Sequence, residues 1–249
     1  MQIGVILAAG KGTRLQSKDK NKTALSISGK PLVVFGAELF QATVDTTVVV
    51  IGAFADTVKD ALADFKVNIS FVEQLEQLGT GHAAKIAVEY IESQGLTPTE
   101  VLLGYGDHMM FYTPLIINNM KKLHQDSGAV VTLVTVDYAD ANALGWGRIL
   151  RNADGIVDSI VEQKDATDEQ RAITEQNAGF YCFNYQFLKA AVQQFEKSKV
   201  TGEYYITDVV EIARKAGKRV EAFTVPFEFV GSGVNTPEQF EQTQKMIQG

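Results

Sequence analysis

The chain has 249 residues, 45% apolar and 21% charged, with 23 basic and 30 acidic side chains for a formal net charge of −7. These proportions belong to a core-forming chain and exclude disorder, collagen and coiled coil as the main architecture. The acidic balance argues against non-specific nucleic-acid binding. The longest uncharged stretch, residues 108–120, contains Pro114, Asn118 and Asn119, so no run approaches the ~20 apolar residues of a membrane span.

A single cysteine, Cys182, rules out a disulfide within these residues and points to a reducing, cytoplasmic setting. In an apolar strand it reads as a core filler. The first residues, Met-Gln-Ile-Gly-Val-Ile-Leu, form an apolar run with no basic lead, a first strand rather than a signal peptide. Residues 2–7 form that strand and end in a Gly-rich loop. Residues 31–41 have helical spacing, with Pro31 suited to the first turn. Residues 47–51 are a β-branched strand, 56–65 an amphipathic helix, 67–72 a strand and 80–91 a helix. Residues 101–105 are an apolar strand stopping at Gly106-Asp107, and Thr113-Pro114 opens another helix as N-cap and first-turn residue. Such alternation predicts right-handed crossovers and a parallel sheet covered by helices.

After about residue 128 the pattern changes. Residues 129–136, 148–150, 156–161 and 179–183 read as strands, with a turn at Asn152-Ala-Asp-Gly155. Helices follow over 207–215 and 237–247, the last with Thr236 as N-cap and Gln239 three residues on. The expectation is one α/β domain over residues 1–249: a mostly parallel central sheet flanked by helices, with a smaller mixed-sheet subregion in the second half.

The first loop carries the strongest chemical signal. Lys11, Arg14, Lys18, Lys20 and Lys22 face only Asp19 between positions 11 and 22. Exposed charges are screened beyond about 8 Å, so an anion here meets the local cluster rather than the overall negative charge. A strand ending in Ala-Ala-Gly-x-Gly leaves bare backbone N–H groups at the carboxyl edge of the sheet, where ligands of open α/β sheets bind. Arg14 can grip phosphate bidentately and Lys22 can add a mobile point charge. Leu15 breaks a G-x-G-x-x-G dinucleotide fingerprint, and a Walker G-K-[ST] is absent.

Seven stretches then appear in order along nearly the whole chain: Leu7-Ala-Ala-Gly-Lys-Gly-Thr-Arg14, Glu76-Gln-Leu-Gly-Thr-Gly-His82, Tyr105-Gly-Asp107, Gly145-Trp-Gly-Arg-Ile149, Ile160-Val-Glu-Gln-Lys-Asp-Ala-Thr-Asp-Glu-Gln170, Gly202-Glu-Tyr-Tyr-Ile-Thr-Asp208 and Gly233-Val-Asn235. Through them the chain resembles the sugar-phosphate nucleotidyltransferases, and within them the uridylyltransferase (pyrophosphorylase) domain of the bacterial bifunctional enzyme that forms UDP-N-acetylglucosamine. The resemblance implies a Rossmann-like nucleotidyltransferase fold in which residues 1–127 are mainly the nucleotide-binding half and 128–249 mainly the sugar-binding half. It implies a Mg²⁺-dependent enzyme of nucleotide-sugar biosynthesis, supplying a cell-wall precursor from UTP and N-acetylglucosamine 1-phosphate. Another pyrimidine triphosphate or phosphorylated acceptor, or a non-catalytic sugar-nucleotide sensor, are the alternatives. By the same resemblance Arg14 and Lys22 are catalytic. Leu7, Ala8, Ala9, Gly10, Gly12, Gln74, Gly79 and Thr80 bind the nucleotide, and Gly106, Gly147, Glu162, Asn177 and Tyr205 bind the sugar. Asp107 and Asn235 hold the metal, a carboxylate and a neutral oxygen suiting Mg²⁺ beside phosphates and water. No nucleic-acid or membrane partner is implied, and homo-oligomerisation is left open.

The resembled enzyme continues into a repetitive acetyltransferase domain that has no counterpart in this sequence. Other departures are local. Asn21 stands where proline is usual, which predicts a looser loop. Gly104 replaces a bulky apolar residue, and His108-Met-Met110 a Pro-containing stretch. Trp146 replaces tyrosine. Ala178 replaces threonine, which predicts a hydroxyl missing from the sugar site. His82 reads as structural, and Lys164 as either a phosphate contact or an exposed lysine.

Overall fold

A computed structural model describes residues 1–12, 15, 19–65 and 68–248. β1 (Gln2–Ala8) is followed by a 3-10 turn at Lys22–Ala24 and a two-stranded antiparallel ribbon of β2 (Ser26–Ile27) and β3 (Lys30–Pro31). Then come α1 (Leu32–Gln41), β4 (Thr46–Ile51), α2 (Ala55–Ala61), β5 (Ile69–Glu73), α3 (Thr80–Ser93), β6 (Glu100–Tyr105) and α4 (Pro114–Ser127). The rest comprises β7 (Val131–Asp137), β8 (Arg148–Arg151), β9 (Val157–Val161), α5 (Asp168–Arg171), β10 (Glu175–Asn184), α6 (Tyr185–Ala191), α7 (Asp208–Lys215), β11 (Val220–Thr224) and α8 (Pro237–Gln248).

One nine-stranded sheet runs in the order β11-β7-β10-β6-β1-β4-β5, with the β8–β9 hairpin branching from β10. β1 lies parallel to β4 and β6, β4 to β5, and β11 to β7. β10 alone on this path is reversed, antiparallel to both β6 and β7. The mixed character expected of the second half is this reversed strand and its hairpin. The interior parallel strands β1, β4 and β6 are buried on both faces, which is why their sequences are rich in Val, Ile and Leu. Alternation along β1 sends Ile3, Val5 and Leu7 into one core layer with α3, α6 and α7. It sends Ile6 and Ala8 into the other, with α1 and α4. Cys182 is fully buried in the second layer, and burial pushes its thiol well above the ordinary value.

The capping signals act as their chemistry demands. The Thr113 hydroxyl accepts from Ile116 N, and Thr236 Oγ1 from Gln239 N at 3.3 Å. Asn152 Oδ1 accepts from the backbone of Asp154 and Ile156 to close its turn. Two local expectations are corrected, and two elements were not anticipated. Pro31 sits before the first turn of α1, in extended backbone (φ −59°, ψ 141°). α2 ends at Ala61, four residues early, because Leu62 leaves helical geometry. α6 follows β10 directly, capped by Asn184, whose Oδ1 accepts from Phe187 N at 3.0 Å, with no Gly or Pro to announce the change. β11 is an edge strand with mixed side chains, too weakly patterned to stand out. Among the described residues, no helix is long and apolar enough to cross a membrane.

Candidate active site

A cleft of about 560 Å³ opens at the carboxyl ends of β1 and β6. Because β10 runs the other way, its N-terminal Asn177 reaches the edge where the parallel strands end. The β8–β9 hairpin closes that side with Gly147 before β8 and Glu162 just after β9. The cleft wall includes Leu7, Ala9, Gly10, Gly12 and Lys22, and further along Gln74, Gly79 and Thr80. It also includes Asp107, Asn235, Gly147, Glu162 and Asn177. Arg14 lies outside the described residues. Three other candidates stand away from the wall. The Ala8 side chain is in the core, Gly106 N donates to Leu7 O at 3.0 Å, and the Tyr205 hydroxyl pairs with Thr201 Oγ1 at 2.6 Å.

The glycine loop is shaped by close packing. Gly12 has φ +62°, and a Cβ there would stand 2.8 Å from Lys22 Cβ, so only glycine lets the loop fold onto the lysine stem. The Lys22 ammonium pairs with the Asp107 carboxylate and donates to Asn235 Oδ1 at 2.9 Å. Lys22 thus bonds a residue 213 positions further along the chain. Val234 N donates to Asp107 O at 3.0 Å, tying the two oxygen donors together. Two oxygens already gathered about a positive charge, one ionised and one neutral, fit a Mg²⁺ ion that takes its remaining ligands from phosphates and water. No group of three or more His, Cys, Asp or Glu suited to a metal exists among the described residues.

At one end of the cleft, Gln74 is held by its N–H to Ile51 O at 2.8 Å. Its Nε2 donates to Gly79 O at 3.2 Å and faces His82 Nδ1 at 3.0 Å. His82 Nδ1 also lies 3.1 Å from Glu76 O. With Nε2 held by Gly79 O, Oε1 is the acceptor left for a ligand. His82 therefore supports Gln74 without lining the cleft. At the other end, Glu162 Oε1 accepts from Thr207 Oγ1 at 2.9 Å. Burial pushes the Glu162 carboxyl above the usual carboxylate range, opposed by that hydrogen bond. Asn177 Nδ2 donates to the Tyr181 hydroxyl at 2.6 Å, and Asn177 N to Gly147 O at 2.9 Å. Burial holds the phenols of Tyr105 and Tyr181 well above their ordinary value.

The departures noted above prove to be structural couples. Trp146 and His108 both line the cleft, their ring centroids 4.6 Å apart. His108 Nε2 pairs with Gly231 O at 3.0 Å, and burial lowers its pKa, so the ring is neutral at pH 7. Ala178 is buried in the core with Tyr112 and Phe180 and is absent from the cleft wall, so its methyl replaces no hydroxyl there. Asn21 itself is tied to its neighbours. Asn21 is fully buried and its amide is hydrogen-bonded on both sides. Gln77 and Glu203 also line the cleft. Each lies inside a quoted stretch, Gln77 in the second and Glu203 in the sixth, and neither carried a signal beyond its motif.

An open sheet with a glycine loop, a lysine and a carboxylate at its carboxyl edge has the layout of α/β proteins that bind phosphorylated ligands there. A family model described as nucleotidyl transferase matches residues 3–229, and the chain belongs to that family. It is similar to the bifunctional protein GlmU of Lactobacillus johnsonii, 41% identical over 246 residues that cover 98% of this chain and 51% of that protein. The same protein of Halalkalibacterium halodurans is 36% identical over 252 residues, covering 99% and 52%. The chain thus spans about half the length of these curated relatives. A solved UDP-glucose pyrophosphorylase complexed with UDP-glucose shares the fold, with a TM-score of 0.80 at 19% identity over 100% of this chain and 98% of that one.

Proposed function

We propose that the chain transfers a uridylyl group from UTP to a hexose 1-phosphate, releasing pyrophosphate, with N-acetylglucosamine 1-phosphate as the preferred acceptor and Mg²⁺ as cofactor. The observation that carries this reading is a single cleft with three zones. A polar end lies at Gln74 and Gly79, a cationic and carboxylate centre at Lys22, Asp107 and Asn235, and a polyol-suited end at Gly147, Glu162 and Asn177. Gln74 Oε1 would accept from the N3–H of uracil, where cytosine offers an acceptor instead.

An oxygen of the sugar phosphate attacks the α-phosphorus. The bond from that phosphorus to the bridging oxygen breaks, and pyrophosphate leaves with the electron pair. The attacking oxygen is already ionised, so no general base is needed, and Glu162 serves as a hydrogen-bonding group for the sugar. The chain's contribution is alignment and charge stabilisation. Glycine-loop N–H groups hold the phosphates. Lys22 stabilises the charge that moves onto the leaving group, and Arg14 is assigned the same task. Asp107 and Asn235 would hold Mg²⁺, which when bound neutralises phosphate charge.

The test is pyrophosphate release with UTP and Mg²⁺ over glucose, galactose, glucosamine, N-acetylglucosamine and N-acetylgalactosamine 1-phosphates. Strong turnover with N-acetylglucosamine 1-phosphate is expected. Turnover with another sugar alone would keep the mechanism and move the specificity to the Trp146–His108 wall. No release with any of them, under UTP or CTP, would overturn the reading.

A further inference from the structure

We propose that Asn21 is a positioning residue that pre-forms the phosphate-binding loop and aims Lys22, an inference resting on the reading above. Asn21 is 0% exposed. Its Nδ2 donates to Ala8 O at 2.9 Å, to Gly10 O at 3.1 Å and to Ala53 O at 2.8 Å. Its Oδ1 accepts from Thr23 N at 2.9 Å and from Thr23 Oγ1 at 2.8 Å. Its own N–H donates to Thr57 Oγ1 at 3.1 Å, and that hydroxyl donates to Phe54 O at 2.7 Å. One primary amide has two N–H groups and one carbonyl oxygen. All are engaged by protein, so Asn21 acts on other residues and touches no ligand.

The segments it joins are those that build the phosphate end of the cleft. Ala8 and Gly10 are the exit of β1 and the glycine loop. Ala53 begins the turn into α2 and donates its own N–H to Ala9 O at 3.2 Å. Thr23 is in the 3-10 turn that starts at Lys22, with Asn21 as its N-cap. The backbone of Asn21, φ −63° and ψ 141°, is a conformation proline adopts readily. The turn therefore does not require asparagine. What asparagine adds, and proline cannot, is the set of donors that hold the loop carbonyls. With the loop already formed, a triphosphate binds without the cost of ordering it.

The experiment measures UTP affinity by calorimetry, KM for each substrate, and amide hydrogen exchange at Gly10, Lys11 and Gly12, for the wild type, Asn21→Ala and Thr23→Val. Asn21→Ala should weaken UTP binding on the order of tenfold, the scale of one or two lost hydrogen bonds to buried carbonyls. KM for UTP should rise in step and exchange should quicken, while KM for the sugar phosphate stays within about twofold. Thr23→Val keeps the volume and removes only the hydroxyl that orients Oδ1. It should move the same readouts in the same direction by less, and it carries the test if Asn21→Ala does not fold. A lowered melting temperature with wild-type UTP affinity and wild-type exchange at the loop would make Asn21 merely structural and overturn the proposal. If the wild type releases no pyrophosphate, the transferase reading falls by itself, and the exchange data still judge Asn21.

Discussion

Lys22 stands between Asp107 and Asn235, the two groups best suited to a divalent cation. A lysine ammonium and a metal ion compete for the same oxygens, because each brings positive charge to one carboxylate. This makes the residue testable twice. Lys22→Met should lower turnover on the order of 10²–10³-fold, the scale for losing one charge-stabilising donor. The same change should tighten Mn²⁺ binding, read by electron paramagnetic resonance without nucleotide, by about tenfold or more, as expected for removing a like charge at contact distance. Unchanged turnover would take Lys22 out of the mechanism, and unchanged Mn²⁺ binding would take the cation away from Asp107.

At the scale of elements, β6 and the loop after it solve a packing problem that two of the sequence departures share. A Cβ on Gly104 would lie 2.5 Å from Met109 Sδ and 2.9 Å from Phe180 Cδ2. The space a bulky residue would fill on β6 is thus filled from the following loop by Met109, which is 1% exposed. An unbranched thioether suits such an irregular gap. Met109→Ala should cost about 2–5 kcal/mol in urea unfolding, as a core truncation of this size does. Adding Gly104→Val to that variant should recover part of the loss, although Gly104→Val alone should destabilise. Strict additivity of the two changes would mean that they do not share the space.

For the whole molecule, the distribution of carboxylates sets the pH behaviour. The Asp208 carboxyl is pushed up to about 6, chiefly by burial and then by Glu162, Glu211, Asp165 and Glu196 around it. Glu162 is raised as well, by burial first. A carboxyl raised on folding binds its proton more tightly in the native state. Its contribution is present below the unfolded value near 3.8 and is lost as pH rises through about 6. Asp208→Asn should therefore raise the melting temperature at pH 7.5 and leave it nearly unchanged below pH 4, in a calorimetric series. The gain is reduced by the loss of a negative charge from the first turn of α7, where it favours the helix dipole. Equal shifts at both pH values would show that the charge of Asp208 plays no part.

Local rules carried far in this chain because they depend on neighbours in sequence. The strand–helix alternation, the Thr113 and Thr236 caps, the Asn152 turn and the Gly-rich exit from β1 all follow from short-range steric and hydrogen-bonding preferences. The candidate site was legible as a residue set because its motifs are contiguous strings. What those strings do not contain is distance. That Asp107 and Asn235 meet on Lys22, that reversal of β10 brings Asn177 to the working edge, and that Ala178 faces the core are consequences of sheet order and register. Asn21 is the sharpest case. Read alone, it was a missing proline and a looser loop. In the folded chain its amide meets carbonyls from two other segments and becomes the tie that holds that loop. A side chain's donors and acceptors are written in the sequence, but their partners come from remote parts of the chain, and only the tertiary fold brings them within hydrogen-bonding distance.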